Sequence, residues 1–198
     1  MMTGRFFKTL VITAALLGVA SGGFADSVGG KVTLTGLRSN ADAVVYIEKI
    51  DGKTFAPPET PVVMDQKGKV FSPKILPVLV GSTVDFLNSD SFVHNVLTPD
   101  RCAEKFDLGS WPTGEVRSHT FEQPCAAVLL CSVHPEMVGF VVAVDTPYFA
   151  VTDAEGNFTI SGVPAGTYTI SVWHERLKKA TETVTVSGDV TVDFNLTR

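Results

Sequence analysis

The sequence has no excess of positive charge and, beyond its first 25 residues, no apolar run long enough to span a bilayer. Its 16 lysines and arginines are outnumbered by 21 aspartates and glutamates, so the formal net charge is −5. This balance argues against a nucleic-acid partner, which requires a basic face. The sequence also lacks a convincing amphipathic helix, so we expect helices to contribute little to the fold.

The first 25 residues have the features of a secretory signal. Arg5 and Lys8 precede a short apolar segment, residues 10–20, and residues 23–25 offer the small side chains that cleavage requires. We expect cleavage after Ala25 and export to a bacterial periplasm as a soluble protein of about 173 residues. Losing Arg5 and Lys8 would take the net charge from −5 to −7. The alternative is an N-terminal anchor that is not cleaved.

The remaining chain consists of short runs rich in Val, Thr, Ile, Phe and Tyr, separated by Gly, Pro, Asn and Asp. This pattern predicts an all-β protein built from β-sandwiches. The predicted strands are 31–35, 43–48, 70–71, 78–80, 83–87, 115–121, 126–130, 138–144, 149–152, 158–160, 167–173, 181–186 and 190–195. Residues 51–65 contain three prolines and no clear strand pattern, so they are predicted to form a linker.

The most informative motif is the segment Cys131–Met137, with the sequence CSVHPEM, which follows a predicted strand. It offers a thiolate, an imidazole and a thioether at C-x2-H-x2-M spacing. Zinc sites use Cys, His and carboxylates rather than Met, whereas calcium and magnesium prefer oxygen. A thiolate, two imidazoles and a weak axial Met form a blue-copper electron-transfer centre. The motif contains three of these ligands, so the chain must supply one more histidine.

His94 is the candidate for the missing imidazole. It follows two predicted strands joined at Gly81, on a loop that neighbouring strands of a sandwich can bring beside Cys131. We therefore predict a single copper ion, with the metal ligands His94, Cys131, His134 and Met137. Considered singly, the cysteine and histidines also fit a buried thiol and ordinary core histidines, and the methionine fits core packing.

The other two histidines have no comparable sequence frame. His119 lies at a spacing of two residues from Arg117 and four from Glu115, so all three share one face of a strand, and we expect His119 to meet solvent. His174 follows Trp173 at the end of a predicted strand. A multicopper oxidase needs more than the four histidines of this chain, and it needs paired His-x-His motifs, which the chain lacks. No enzymatic activity is therefore expected.

The two other cysteines, Cys102 and Cys125, are free to pair if Cys131 binds a metal. An exported chain permits a disulfide. We favour this pairing because free thiols near copper in an oxidising compartment are vulnerable to oxidation. The alternative is two free buried thiols.

Residues 66–145 resemble the cupredoxins of the plastocyanin and amicyanin type. The resemblance is carried by Phe71-x-Pro73, Val78-x-Val80-Gly81, Val84-x-Phe86-x-Asn88-x-Asp90, His94-Asn95-Val96 and the Cys131–Met137 loop, which is similar to the amicyanin loop. It implies a Greek-key β-sandwich with type 1 copper held by equatorial His94 and His134, the Cys131 thiolate and axial Met137. In the family the residue at Asn95 ties the two ligand loops by hydrogen bonds.

The cupredoxin resemblance also implies a function, namely single-electron transfer between redox proteins. A dehydrogenase or a cytochrome is the expected kind of partner, with no nucleic acid and no membrane span. The alternative function is a periplasmic copper-binding or copper-handling protein that carries no electrons.

The C-terminal segment resembles a second family. Residues 148–160 and 162–172 look like the carboxypeptidase regulatory-like, transthyretin-related β-sandwich, whose first two strands match residues 30–48. We therefore predict a discontinuous domain, 26–50 plus 146–198, interrupted by the cupredoxin domain, 66–145. Such modules are non-catalytic in other proteins. The alternative is that the N-terminal segment adds strands to the cupredoxin domain.

Overall fold

The computed structural model describes residues 26–198, so the predicted signal segment lies outside the described residues. The described chain is all-β, with a single short 3-10 helix at Arg101–Ala103. Its strands are β1 (Asp26–Leu34), β2 (Val44–Ile47), β3 (Val62–Gln66), β4 (Phe71–Ser72), β5 (Ile75–Leu79), β6 (Thr83–Asn88), β7 (His94–Thr98), β8 (Phe106–Trp111), β9 (Val116–Thr120), β10 (Cys125–Leu130), β11 (Val138–Val144), β12 (Phe149–Val151), β13 (Asn157–Val163), β14 (Gly166–His174), β15 (Leu177–Val186), β16 (Val190–Thr191) and β17 (Phe194–Leu196). Within residues 26–198, no helix has the length and apolar character needed to cross a membrane.

The middle of the chain, from β3 to β11, forms two sheets that enclose one core. One sheet has the order β4-β3-β6-β9 and the other the order β5-β11-β10-β7-β8. Strand β6 buries every second residue, as a strand with one face against a core must do. The core between the sheets contains Met64, Phe86, Trp111, Phe121 and Leu129.

The two ends of the described chain form a second pair of sheets. One has the order β13-β1-β16, with β17 also paired to β1, and the other has the order β12-β2-β14-β15. Val28 lies opposite Ile160, and Val45 lies opposite Val172. Strands β1 and β2 thus pair with strands that follow the middle segment. This pairing favours the predicted discontinuous domain, whose boundaries stay a prediction.

The outer faces of two sheets, one from each pair, meet in a small apolar cluster. Its buried members are Val44, Ile75, Val142 and Val144. Beside it, the Lys74 ammonium lies 2.6 Å from a carboxylate oxygen of Glu175, so an ion pair also joins the middle segment to the C-terminal one. The exposed lysine limits this pair to about 1 kcal/mol or less, and the apolar contact carries most of the association.

Two differences from the predicted strands affect the middle segment. The end of the predicted linker forms β3, which pairs in parallel with β6 and buries Met64 completely. The prolines before residue 62 obscured this apolar stretch. The predicted loop around His94 is also wrong in part, because His94 begins strand β7, and β7 pairs with β8, a strand that was not predicted.

A disulfide joins Cys102 to Cys125, which confirms the expected pairing. It connects the 3-10 helix to the first residue of β10. The chain-entropy model gives such a crosslink about 3 kcal/mol of stabilisation, because the crosslink lowers the conformational entropy of the unfolded chain.

Candidate metal centre

Antiparallel pairing brings the predicted ligands to one end of a sheet. Leu97 on β7 lies opposite Leu130 on β10, so the start of β7 lies beside the end of β10. His94 is the first residue of β7, and Cys131 directly follows β10. Strand β11 then pairs back onto β10, with Val138 opposite Leu130, so residues 131–137 form a loop over the first residues of β7.

Three donor atoms converge in this loop. The Nδ1 atoms of His94 and His134 are 3.2 Å apart. The Cys131 Sγ lies 3.8 Å from Nδ1 of His94 and 3.9 Å from Nδ1 of His134. His94 and Cys131 are buried, and His134 is partly exposed. These are the three residues that group as a possible metal site in the part of the chain that the structure describes.

The size of this triangle fits one transition-metal ion. Metal bonds are about 2.0 Å to imidazole nitrogen and about 2.3 Å to thiolate sulfur, and the centre of the triangle lies at about that distance from all three atoms. A trigonal set of two imidazoles and one thiolate is the arrangement of blue-copper centres. His94, Cys131, His134 and Met137 therefore fit a single type 1 copper site.

Met137 closes the ligand loop. Its backbone N–H donates to the carbonyl oxygen of His134 at 2.9 Å, which turns the chain back towards β11. Its side chain is 1 % exposed and belongs to the same apolar cluster as Cys131. A buried thioether one turn from two ligands is suited to a weak axial ligand.

The second nitrogen of His94 is occupied by a carboxylate. Since Nδ1 faces the other donors, Nε2 carries the proton and donates to Oδ2 of Asp90 at 2.8 Å. Burial alone would raise the pKa of Asp90, but the backbone N–H groups of Lys69 and Gly68 and the His94 ring lower this pKa to about 2. In the sequence, Asp90 contributes to the cupredoxin resemblance, but no contact with His94 is predicted for it, because an Asp four residues before a His in a loop has no recognisable meaning.

Asn95 ties the two ligand segments together. Its amide nitrogen donates to Oδ1 of Asp107 at 2.7 Å and to the carbonyl of Gly109 at 3.0 Å. Its amide oxygen accepts the backbone N–H of Ser132 at 3.1 Å. Because Ser132 adjoins Cys131, the side chain holds the thiolate loop against β7 and β8. This is the role that the cupredoxin resemblance implies for it.

Replacing Asn95 with alanine should destabilise the protein by about 1–3 kcal/mol, because the substitution removes three hydrogen bonds that each contribute about 1 kcal/mol. Denaturant unfolding of the metal-free protein measures this loss, and transfer of copper to a chelator should also become faster. Asn157→Ala is the matched control, since that amide donates to Asp153 in an exposed turn remote in sequence from the ligands. Equal effects from the two substitutions would contradict the assigned role of Asn95.

His134 reaches the surface within a small apolar patch. We call Phe92, Val93, Val133 and Pro135 the apolar rim. The first three are 38 %, 44 % and 41 % exposed, and Pro135 is also exposed. The Phe92 ring lies 5.3 Å from the His134 ring and 5.2 Å from the His94 ring.

The remaining histidines lie apart from the donor triangle. His119 is only partly exposed, which is less than predicted, because its ring centroid lies 3.9 Å from that of Phe106 and the ring also packs against Phe121. Burial lowers the pKa of His119. The unpredicted strand β8 supplies Phe106, which explains the error. His174 is buried in the second pair of sheets, where its Nδ1 accepts the backbone N–H of Arg176, and burial lowers the pKa of this histidine as well.

Comparison with known families and structures finds both families that the sequence resembles. The model of the carboxypeptidase regulatory-like domain matches residues 136–197, about a third of the chain. Comparison with curated proteins finds no match.

Several solved copper proteins are similar to about half of the chain. A copper-containing nitrite reductase from Thermus scotoductus is 29 % identical over 50 % of the chain, with a TM-score of 0.42, and the chain spans only 25 % of that protein. A purple cupredoxin from Nitrosopumilus maritimus is 28 % identical, with a TM-score of 0.38, over 41 % of this chain and 98 % of its own. A reduced amicyanin variant is 24 % identical, with a TM-score of 0.41, over 50 % of this chain and 97 % of its own. Because these TM-scores are below 0.5, the copper assignment depends on the donor atoms described above.

Proposed function

We propose that this protein is an exported, periplasmic carrier of single electrons rather than an enzyme. The observation that supports the proposal is the convergence of His94 Nδ1, His134 Nδ1 and Cys131 Sγ on one space of metal-binding size. Copper bound there supplies one-electron redox chemistry. The location is inferred from the basic and apolar character of residues 1–25.

The chain holds these donors rigidly, as electron transfer requires. His94 is fixed by strand β7 and by Asp90, and the Cys131 loop is fixed by Asn95 and by the turn at Met137. Ligands that are held in one arrangement by surrounding hydrogen bonds move little when the charge of the metal changes. A small rearrangement keeps the barrier to electron transfer low.

The partner is proposed to be another redox protein, such as a dehydrogenase or a cytochrome, that docks on the apolar rim. His134 is the ligand whose ring reaches this surface, so it offers the shortest covalent route from a docked partner to the site. Small apolar patches of this kind suit brief contacts, since electron-transfer complexes bury little area.

The test of the function is a titration of the metal-free protein with Cu(II), followed by the rate of electron self-exchange between the Cu(I) and Cu(II) forms. One equivalent should give an intense visible thiolate-to-copper band, and self-exchange should be fast. A colourless complex would contradict the blue-copper site. A blue protein with slow self-exchange and easily lost copper would instead be a copper-handling protein.

Replacing Val133 with glutamate should slow electron self-exchange by about tenfold or more, because two molecules that meet through their apolar rims would oppose like charges. The visible band should not change, since Val133 binds no metal. Val151→Glu is the matched control, because Val151 is 38 % exposed on β12, in the other pair of sheets. NMR line broadening in mixtures of the two oxidation states gives both rates, and equal slowing by the two variants would exclude the rim as the docking surface.

A further inference from the structure

Asp90 lies behind the metal site, on the far side of the His94 ring from the donor triangle. Its Oδ2 is 2.8 Å from Nε2 of His94. The His94 side chain is fully buried and the Asp90 side chain is 12 % exposed. The contact therefore lies in a region that water reaches poorly, where a full charge acts strongly on its neighbours.

The Asp90 carboxylate is held by the turn between β3 and β4. The backbone N–H of Gly68 donates to its Oδ1 at 2.7 Å, and the backbone N–H of Lys69 donates to its Oδ2 at 2.9 Å. Both turn residues have positive φ, 68° and 59°, which points their successive N–H groups the same way. Such a pair of N–H groups forms a cradle for an anion. Lys69 adopts this conformation although it is not glycine.

The main chain at Asp90 is fixed as well. Its N–H donates to Oδ1 of Asn88 at 3.0 Å, and the Asn88 amide nitrogen donates to the carbonyls of Phe92 and Trp111. The hydroxyl of Thr113 donates to the carbonyl of Asp90. The carboxylate is therefore a built feature of the loop before β7 and not a mobile surface group.

We propose that Asp90 is a positioning residue that makes His94 a stronger donor and thereby stabilises the higher oxidation state of the bound metal. This inference rests on the proposed copper site. A carboxylate that accepts the N–H of a ligating histidine fixes its tautomer and raises its basicity. Its negative charge also favours Cu(II) over Cu(I), since the ion with the higher charge gains more from a nearby anion. The reduction potential is consequently lower than that of the same site with a neutral partner on His94.

The decisive substitution is Asp90→Asn, which removes the charge and keeps the size of the side chain. The Cu(II) affinity should fall by about tenfold to a hundredfold, the usual cost of losing such a partner. The Cu(I) affinity should hardly change, so the ratio of Cu(II) affinity to Cu(I) affinity should fall by the same factor. For a one-electron couple this is a rise in reduction potential of about 60–120 mV. Competition with chelators specific for each oxidation state gives the two affinities, and voltammetry gives the potential.

Two further variants separate the proposed role from a general effect of charge or of structure. Asp85→Asn removes an equal charge from strand β6, where the carboxylate accepts the hydroxyl of Ser118 at 2.6 Å, and it should change the affinity ratio by less than about twofold. Asp90→Glu retains the charge and should keep the potential closer to the wild-type value. A purely structural role of Asp90 would weaken both oxidation states equally and leave the potential unchanged, which would overturn the proposal.

A measurement on the unmodified Cu(I) protein covers the case in which Asp90→Asn fails to fold. The Nε2 proton of His94 should give a downfield NMR signal that exchanges slowly with solvent, because it is buried and bonded to a carboxylate. A rapidly exchanging proton would overturn the inference. If the wild-type protein forms no blue complex, the proposed function fails and this inference fails with it. If the protein is blue and the Asp90→Asn potential is unchanged, only the role of Asp90 is wrong.

Discussion

Replacing Cys131 with serine should abolish the intense visible band of the copper-loaded protein completely. The band arises from charge transfer between a thiolate and copper, and Cys131 is the free cysteine in the part of the chain that the structure describes. Its Sγ is one corner of the donor triangle, so the variant should also bind copper more weakly. Absorption spectra recorded during Cu(II) titration measure both effects.

The chain offers a matched control for the loss of colour. Serine at both Cys102 and Cys125 removes two other sulfur atoms by the same chemical change, and these residues are joined to each other in a disulfide. That double variant should remain blue and lose about 3 kcal/mol of stability. If Cys131→Ser stays blue, or if the double variant becomes colourless, the assignment of the thiolate ligand is wrong.

Replacing Gly156 with alanine should destabilise the protein by about 3 kcal/mol or more, because the added methyl group meets both backbone strain and steric overlap. Gly156 has a φ of +91°, and an added Cβ would overlap the backbone oxygen of Val32 and approach Cβ of Asn40 at 2.9 Å. The glycine carbonyl accepts the N–H of Val32 at 2.8 Å, so the turn cannot move away without losing a hydrogen bond.

Gly162→Ala separates backbone strain from the steric overlap. Gly162 has a φ of +78° and no atom within 4 Å of an added Cβ, so its replacement should cost only about 1–2 kcal/mol. Denaturant unfolding of the two variants gives the comparison. Val32 lies before the middle segment β3–β11 and Gly156 lies after it. An equal loss of stability at both glycines would therefore argue against a close contact between these two parts of the chain.

The metal ligands are predictable from the sequence because their chemical types are rare. One free thiolate, two histidines and a methionine in the right order define the donor set by residue type and spacing alone, and the fold brings three of them within bonding distance of one point. Strand β3 was missed because prolines immediately before Val62 mask a short apolar run. The packing of His119 was missed because it depends on Phe106, which lies on an unpredicted strand.

The role of Asp90 illustrates a different limit. A histidine ligand can be recognised by its type and by its neighbours, but the partner of its second nitrogen depends on how loops meet in space. Here the partner is fixed by a turn 21 and 22 residues earlier in the chain, at Lys69 and Gly68. No local pattern connects these positions, because the contact follows from the parallel pairing of β3 with β6.

The pairing of β1 with β13 has a consequence for the order in which the chain folds. Ser27 lies opposite Ser161, so β1 stays without this partner until more than 100 further residues have been synthesised. The strands from β3 to β11 pair among themselves over much shorter separations, and contacts between near neighbours form faster than contacts that close long loops. The copper ligands can therefore be brought together before β1 has paired with β13. During that interval the unpaired edge of β1 is the segment most exposed to pairing with a wrong strand.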